Sequence, residues 1–337
     1  MKNIKQLLKK GLLKVIFPNS NPDLEETFIK ESIRFWKLTS KYNASHHTDS
    51  DIEKMQYTIL RENHVIEKGM SMRNPRKGFG QEKVKRLLER LKKYNELYGV
   101  KDPTFLQYPL STILSYINYT EASGIAIDDI KHAFEQLKSK LPSLNLEVHA
   151  GVQIITKKEI KEKCNKDFES LLYSRHSVRY FADTPVNQEL IYKALELAQR
   201  TPSACNRQGW KTHVFQGEKS IELVKWQGGC KGFENELKYS ILVTANLKAF
   251  LSYEVHQAYI DGGLYAMNLI NAIHSLGLGC IPLSCGFNSW KLEQLKKFEI
   301  PENEIPIVLI SLGNLMDEFK IAISTRKPIE VTNIFHE

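Results

Sequence analysis

The sequence predicts a chain in two parts: a mostly helical first half, and a second half of α/β or α+β class built around one sheet. Three observations carry this. Residues 24–142 place apolar side chains at three- and four-residue spacing, the period of an amphipathic helix. From Lys211 onward, short β-rich runs alternate with helical ones, as in a domain layered around a sheet. Between Val255 and Trp290 the only charged residue is Asp261, which marks a buried stretch.

A chain of 337 residues has room for two domains and a sizeable core. A hydrophobic content of 42% and a mean hydropathy of −0.35 are those of a soluble globular protein. The five cysteines (Cys164, Cys205, Cys230, Cys280, Cys285) form no CxxC pair. Neither a zinc site nor a disulfide framework is indicated, no signal peptide is evident, and a reducing cytoplasm is the expected compartment. Residues 1–168 carry 30 Lys and Arg against 21 Asp and Glu, while residues 169–337 carry 17 against 18. The excess base thus belongs to the first half. Such a surface could meet an acidic partner, a membrane face or nucleic acid, as an adaptor would; acids are interleaved with it, which favours a plainly solvated surface with no nucleic-acid partner.

Taken in order, residues 1–17 set Lys2, Lys5, Lys9, Lys10 and Lys14 against Ile4, Leu7, Leu8, Leu12, Leu13, Ile16 and Phe17. Such a helix can lie on an anionic membrane or dock on the body of the protein, and is too short to span a bilayer. Helices are expected over residues 25–41, 51–67, 81–98, 110–119 and 127–141. In the third, Val84, Leu87, Leu88, Leu91, Tyr94 and Leu97 form one stripe. The basic, glycine-rich loop around Arg73, Arg76, Lys77, Gly78 and Gly80 reads as a phosphate cradle or as a plain connection. His64 and Glu67 share a helix face, yet no second pair completes a metal site. A short β-like run covers residues 148–156, and a domain boundary is placed there, giving a helical basic region over 1–150 and a second domain over 151–337. Strands are expected over residues 211–216, 239–245, 279–284 and 306–312. The helix at 258–276 is apolar on nearly every face, so it is expected to be buried all round, with Gly262 and Gly263 admitting a second backbone.

The stretch from Ser174 to Trp210 holds the candidate chemistry. Arg175, Ser177 and Arg179 set two guanidiniums and a hydroxyl within five residues, a donor set suited to a dianionic phosphate. Pro202, Ser203, Asn206 and Gln208 form a polar loop whose amides suit the rim of a heteroaromatic ring. Surface charges and an ordinary turn are the bland alternative.

These residues resemble a known family. Arg175-His176-Ser177-x-Arg179-x-Phe181, Thr184-Pro185-Val186 and Pro202-Ser203-x-x-Asn206-x-Gln208-x-Trp210 are similar to the signature of the FMN-dependent nitroreductases. The likeness continues through Asp261-Gly262-Gly263, Leu276-Gly277-Leu278-Gly279, the run Ile307 to Gly313, and Arg326-Lys327-Pro328, covering roughly residues 165–330. One departure is Gly209, where many members have proline.

The resemblance implies an α+β sandwich, a central, mainly antiparallel sheet flanked by helices, in a homodimer with FMN at the interface. It places Arg175, Ser177 and Arg326 at the phosphate, Arg179 at the pyrimidine edge, and Asn206 and Gln208 at the ring or ribityl chain. Pro202 and Ser203 would line the ring edge, and Leu283 and Ser284 would cover its other side. His176 and Cys205 lie beside the site; His176 is counted among the cofactor-binding residues, while the structural reading is favoured for both. NADH or NADPH would reduce the flavin, and a small acceptor would follow in a ping-pong exchange. The chemistry would be carried by flavin N5, with no metal and no protein nucleophile. The rival implication is a flavin-binding accessory or sensing protein of bacterial surface-polysaccharide synthesis that lacks NAD(P)H turnover.

Overall fold

A computed structural model describes residues 51–98, 103–141, 150–250, 256–287 and 289–336, with a few isolated positions besides. The amphipathic segment at 1–17 lies outside the described residues, as does nearly all of the helix expected over 25–41. The chain is α+β, and it divides into two compact units. One gathers the described part of residues 43–157 with 317–337; the other is built on residues 158–316.

The helical unit begins with α1 (Ile52–Met70), capped by Asp51, whose carboxylate accepts from Lys54 N at 3.1 Å. Helix α2 (Gln81–Tyr98) buries Val84, Leu87, Leu88, Leu91 and Tyr94. Leu97 was expected on this stripe, but it lies in the last turn and is 49% exposed. Helix α3 (Pro103–Ala122) is longer than expected and tolerates Pro109 inside it. The lost hydrogen bond is offset by burial of Leu106, Leu110, Ile113, Tyr116 and Ile117, each contributing about 1.5–3 kcal/mol. Helix α4 (Asp128–Lys138) has two aspartates in its first turn, where the helix dipole favours them, and buries Ile130, Phe134 and Leu137.

Strand β1 (Val152–Thr156) pairs antiparallel with a strand from the far end of the chain, Glu318–Ala322. Glu67 is fully buried and accepts from Tyr108 Oη at 2.6 Å and from Gly151 N at 3.1 Å. It therefore pins α1, α3 and the approach to β1 together. Paired with His64 in the sequence, it serves here as a structural acceptor. Among the described residues no group of three or more His, Cys, Asp or Glu is placed to hold a metal ion.

The sheet unit follows α5 (Lys157–Lys163) and α6 (Phe168–Ser174) with α7 (Gln188–Ala198), β2 (Trp210–Gln216), α8 (Glu218–Gln227), β3 (Tyr239–Asn246), α9 (Gln257–Ser275), β4 (Leu278–Ser284) and β5 (Glu304–Asn314). Four strands form an antiparallel sheet in the order β2-β3-β5-β4. Helix α9 packs on the sheet and α7 packs on α9. Tyr265, Leu269 and Ile273 of α9 meet Ile241, Val243, Ile310 and Leu312 of the strands in one core.

Within the single chain, only one side of α9 is covered. Tyr259, Ile260, Leu264 and Met267 are 42–53% exposed along one flank. An apolar helix lying on one sheet has only one covered side. One of its two glycines differs from expectation. A Cβ on Gly262 would meet Ile307 Cγ1 at 2.6 Å, so this glycine admits a sheet side chain and not a second backbone. A Cβ on Gly263 would meet nothing within 4 Å.

Among the described residues no helix is long and apolar enough to cross a membrane.

Candidate functional site

The first cluster grows from the end of α6. Asp167 caps that helix by accepting from Ser170 N at 2.7 Å, and the chain leaves in extended form at Arg175. Ser177 then forms a single parallel bridge with Cys280 of β4, and Val178 N donates to Cys280 O at 2.9 Å. Phe181 is 7% exposed and lies over Gly279 and Gly313, which face each other across β4 and β5. A Cβ on Gly313 would sit 2.5 Å from Phe181 Cγ. Phe181 is thus the anchor of the motif, and two glycines form its seat.

Arg175 and Ser177 are half-buried. Among the described residues no carboxylate pairs with Arg175. Beside it lies His274, 4% exposed, whose Nε2 is 2.8 Å from Ser174 Oγ. Burial lowers the His274 pKa to about 4, and the charges of Arg175 and His176 push the same way. Burial likewise raises the Cys280 thiol to about 12, with Arg175 opposing. Both groups are neutral near pH 7, so the charge here belongs to the guanidinium. Arg179 is 3% exposed.

The second cluster is the loop before β2. Cys205, Asn206 and Gln208 all have positive φ, at 50°, 54° and 49°. Asp261, 1% exposed, accepts from Ala204 N at 3.2 and 3.3 Å and from Gln257 Nε2 at 2.8 Å. Ser203 Oγ accepts from Gln208 N at 2.9 Å. Pro202, Asn206 and Gln208 are exposed, with Gln208 Nε2 donating to Asn206 Oδ1 at 3.3 Å. At the end of β4, Leu283 is buried, Ser284 is exposed, and Ser284 O accepts from Gln227 Nε2 at 2.9 Å.

Within one chain the two clusters do not meet. Asp261 holds the loop at the start of α9, and His274 touches Ser174 at its end. Thirteen residues of helix separate them by roughly 20 Å. The strand register agrees. Cys280 is level with Leu312 on β5, whereas Trp210 pairs with Ala245, which faces Ile305. Arg326 belongs to the helical unit and is exposed, its Nη1 donating to Ser324 O at 2.5 Å.

Residue reasoning had not assigned roles to Asp261, His274, Arg207 or Glu254. Asp261 was legible, since a lone charge in an apolar stretch survives burial only with partners. The others carry no local signal.

Residues 172–314 match the model of the Nitroreductase family. An Archaeoglobus fulgidus protein named "Putative NADH dehydrogenase/NAD(P)H nitroreductase" is 29% identical over 159 residues, covering 47% of this chain and 88% of the relative. A Methanothermobacter thermautotrophicus protein of the same name is 27% identical over 150 residues, covering 44% and 76%. Among solved structures, a nitroreductase family protein of Streptococcus pneumoniae is 23% identical with a TM-score of 0.43, covering 50% of this chain and 100% of its own. A nitroreductase of Exiguobacterium sibiricum described as "putative" and solved in complex with FMN is 18% identical with a TM-score of 0.44, covering 51% and 98%.

Proposed function

We propose that this chain is an FMN-dependent oxidoreductase that takes reducing equivalents from NADH or NADPH and passes them to a small organic acceptor. The observation that carries the reading is Arg175: a half-buried residue two positions from the half-buried Ser177, with no carboxylate pairing it among the described residues. A cation so placed is suited to a ligand dianion. The exposed amides of Asn206 and Gln208 suit the rim of a heteroaromatic ring. The donor sets therefore fit FMN, which when bound would supply the two-electron chemistry. The names of the relatives support NAD(P)H as donor.

The separation of the two clusters supports a homodimer. One chain holds the phosphate donors and the amide loop roughly 20 Å apart, at opposite ends of α9. A second copy would bring its own loop to the first copy's arginine. The exposed apolar flank of α9 offers the surface for that pairing. In this reading Arg175 and Ser177 hold the phosphate, Arg179 contacts the pyrimidine edge, and Leu283 and Ser284 cover the ring. His176 completes the motif, and Pro202 and Ser203 line the ring edge. His274 stays neutral beside Arg175 and adds no competing charge. The compartment is a reducing cytoplasm, where the five free cysteines remain thiols.

The purified protein should show a flavin band in its visible spectrum and oxidise NADH or NADPH. Arg175→Ala combined with Ser177→Ala should give colourless protein, since each lost charge-assisted hydrogen bond costs about 1.5–3 kcal/mol. Stoichiometric flavin retained by the double variant would overturn the phosphate assignment. Bound flavin with no NAD(P)H oxidation would favour an accessory or sensing role.

A further inference from the structure

The geometry points to Arg207 and Glu254 as positioning residues that hold the amide loop in its ligand-ready form. The inference rests on the flavin reading above and adds to it a latch from outside the motif. Cys205, Asn206 and Gln208 sit in the left-handed region, which L side chains rarely adopt, and none is glycine. Such a run persists only where its surroundings enforce it.

The enforcement comes from three sides. Asp261 takes Ala204 N and Ser203 Oγ takes Gln208 N, as described. The third side is Arg207, placed between Asn206 and Gln208. Its Nε donates to Ala204 O at 3.0 Å, closing the turn on itself. Its two terminal nitrogens donate to the two oxygens of Glu254, each at 2.7 Å, with the two side chains 23% and 17% exposed. This fork-to-fork pair fixes the plane of the guanidinium, which a lysine cannot reproduce. The Phe250 ring completes the contact at 5.3 Å from Arg207 Cζ.

The same ring explains the departure at Gly209. A Cβ there would lie 2.8 Å from Phe250 Cζ and 2.9 Å from Ala249 Cβ. The space a proline ring would fill is taken by Phe250. Local stiffness from a proline is replaced by a tether to the segment between β3 and α9. Arg207 and Glu254 act through Asn206 and Gln208 and need not touch the cofactor.

The test uses the full chain. Glu254→Gln keeps size and removes the charge; Glu254→Asp keeps the charge. Three readouts apply: hydrogen exchange at the Ala204 and Gln208 amides, FMN affinity of the apoprotein by flavin fluorescence, and visible circular dichroism of bound FMN. Glu254→Gln should speed exchange at those two amides, weaken FMN binding about tenfold to hundredfold, and alter the flavin dichroism, with exchange in β3 and β5 unchanged. Glu254→Asp should recover part of each loss. Should Glu254→Gln fail to fold, Arg207→Lys carries the same expectation.

Wild-type exchange and affinity in these variants, while Arg175→Ala releases FMN, would reject the latch and keep the flavin reading. A wild-type protein that takes up no FMN would sink the flavin reading and the positioning role with it.

Discussion

The helical unit and the sheet unit both match their buried carboxylates and differ in what they leave unclaimed. In the helical unit each buried carboxylate is matched. Glu62 receives both Nε and Nη2 of Arg90, at 2.9 and 3.2 Å, and Nε of Arg86 at 3.1 Å. Glu67 receives a phenol and a backbone amide, and with that partner burial raises the Tyr108 phenol above its ordinary range. In the sheet unit Arg175 pairs with no carboxylate among the described residues, and α9 turns an apolar flank outward. The first pattern spends its polar groups on internal cohesion. The second leaves donors and surface unclaimed, as a site that needs a ligand and a second copy would.

The sharpest way to break this comparison is at the open flank of α9. Leu264→Glu with Met267→Glu should convert a dimer to a folded monomer at micromolar concentration, read by sedimentation velocity alongside far-UV circular dichroism. Both residues are already more than 40% exposed, so the monomer itself should lose little stability. A dimer that survives both charges would mean the flank is not the interface.

Within the helical unit the effect should be on stability. Phe134 is fully buried in the α1–α4 core, and Phe134→Ala should cost about 3–5 kcal/mol in urea unfolding. A loss under 1 kcal/mol would mean that this core is not the unit's main support.

The smallest expected effect is a pH dependence arising in the sheet unit. His274 has a folded pKa of about 4 against an ordinary 6.5, because it is buried beside two cationic groups. Between these values the unfolded chain binds more protons, so stability rises with pH across the window. It is complete above about pH 6.5 and is lost as pH falls toward 4, by up to about 3 kcal/mol. Urea unfolding of wild type and His274→Gln at pH 7 and pH 5 checks this. The variant should show the smaller drop, and an equal drop in both would remove His274 as the cause.

The legible features of this chain were local ones. The four strands of the sheet were predicted from runs of β-rich residues, and all four form within a few residues of the expected bounds. The α2 stripe was read correctly as far as Tyr94 and failed at Leu97, because periodicity marks a face but not where its neighbours end. Helix α9 is a related case. Apolar residues on every face conceal which side a single sheet leaves open. The nitroreductase signature was readable because its residues cluster in short segments, several of them serving the backbone: Phe181 needs the Gly279 and Gly313 seat, and Asp261 must cap the loop.

By itself, the sequence left the class open between α/β and α+β, set a cluster of phosphate-suited donors in the second half, and marked where the strands and main helices run. Those properties follow from spacing and residue type along the chain. Tertiary structure alone decided that Glu318–Ala322 returns to pair with β1, that Arg207 is gripped by Glu254, and that Arg175 and the amide loop stand at opposite ends of α9. Each depends on groups far apart in the chain being brought together or kept apart in space. No periodicity or local propensity encodes that distance.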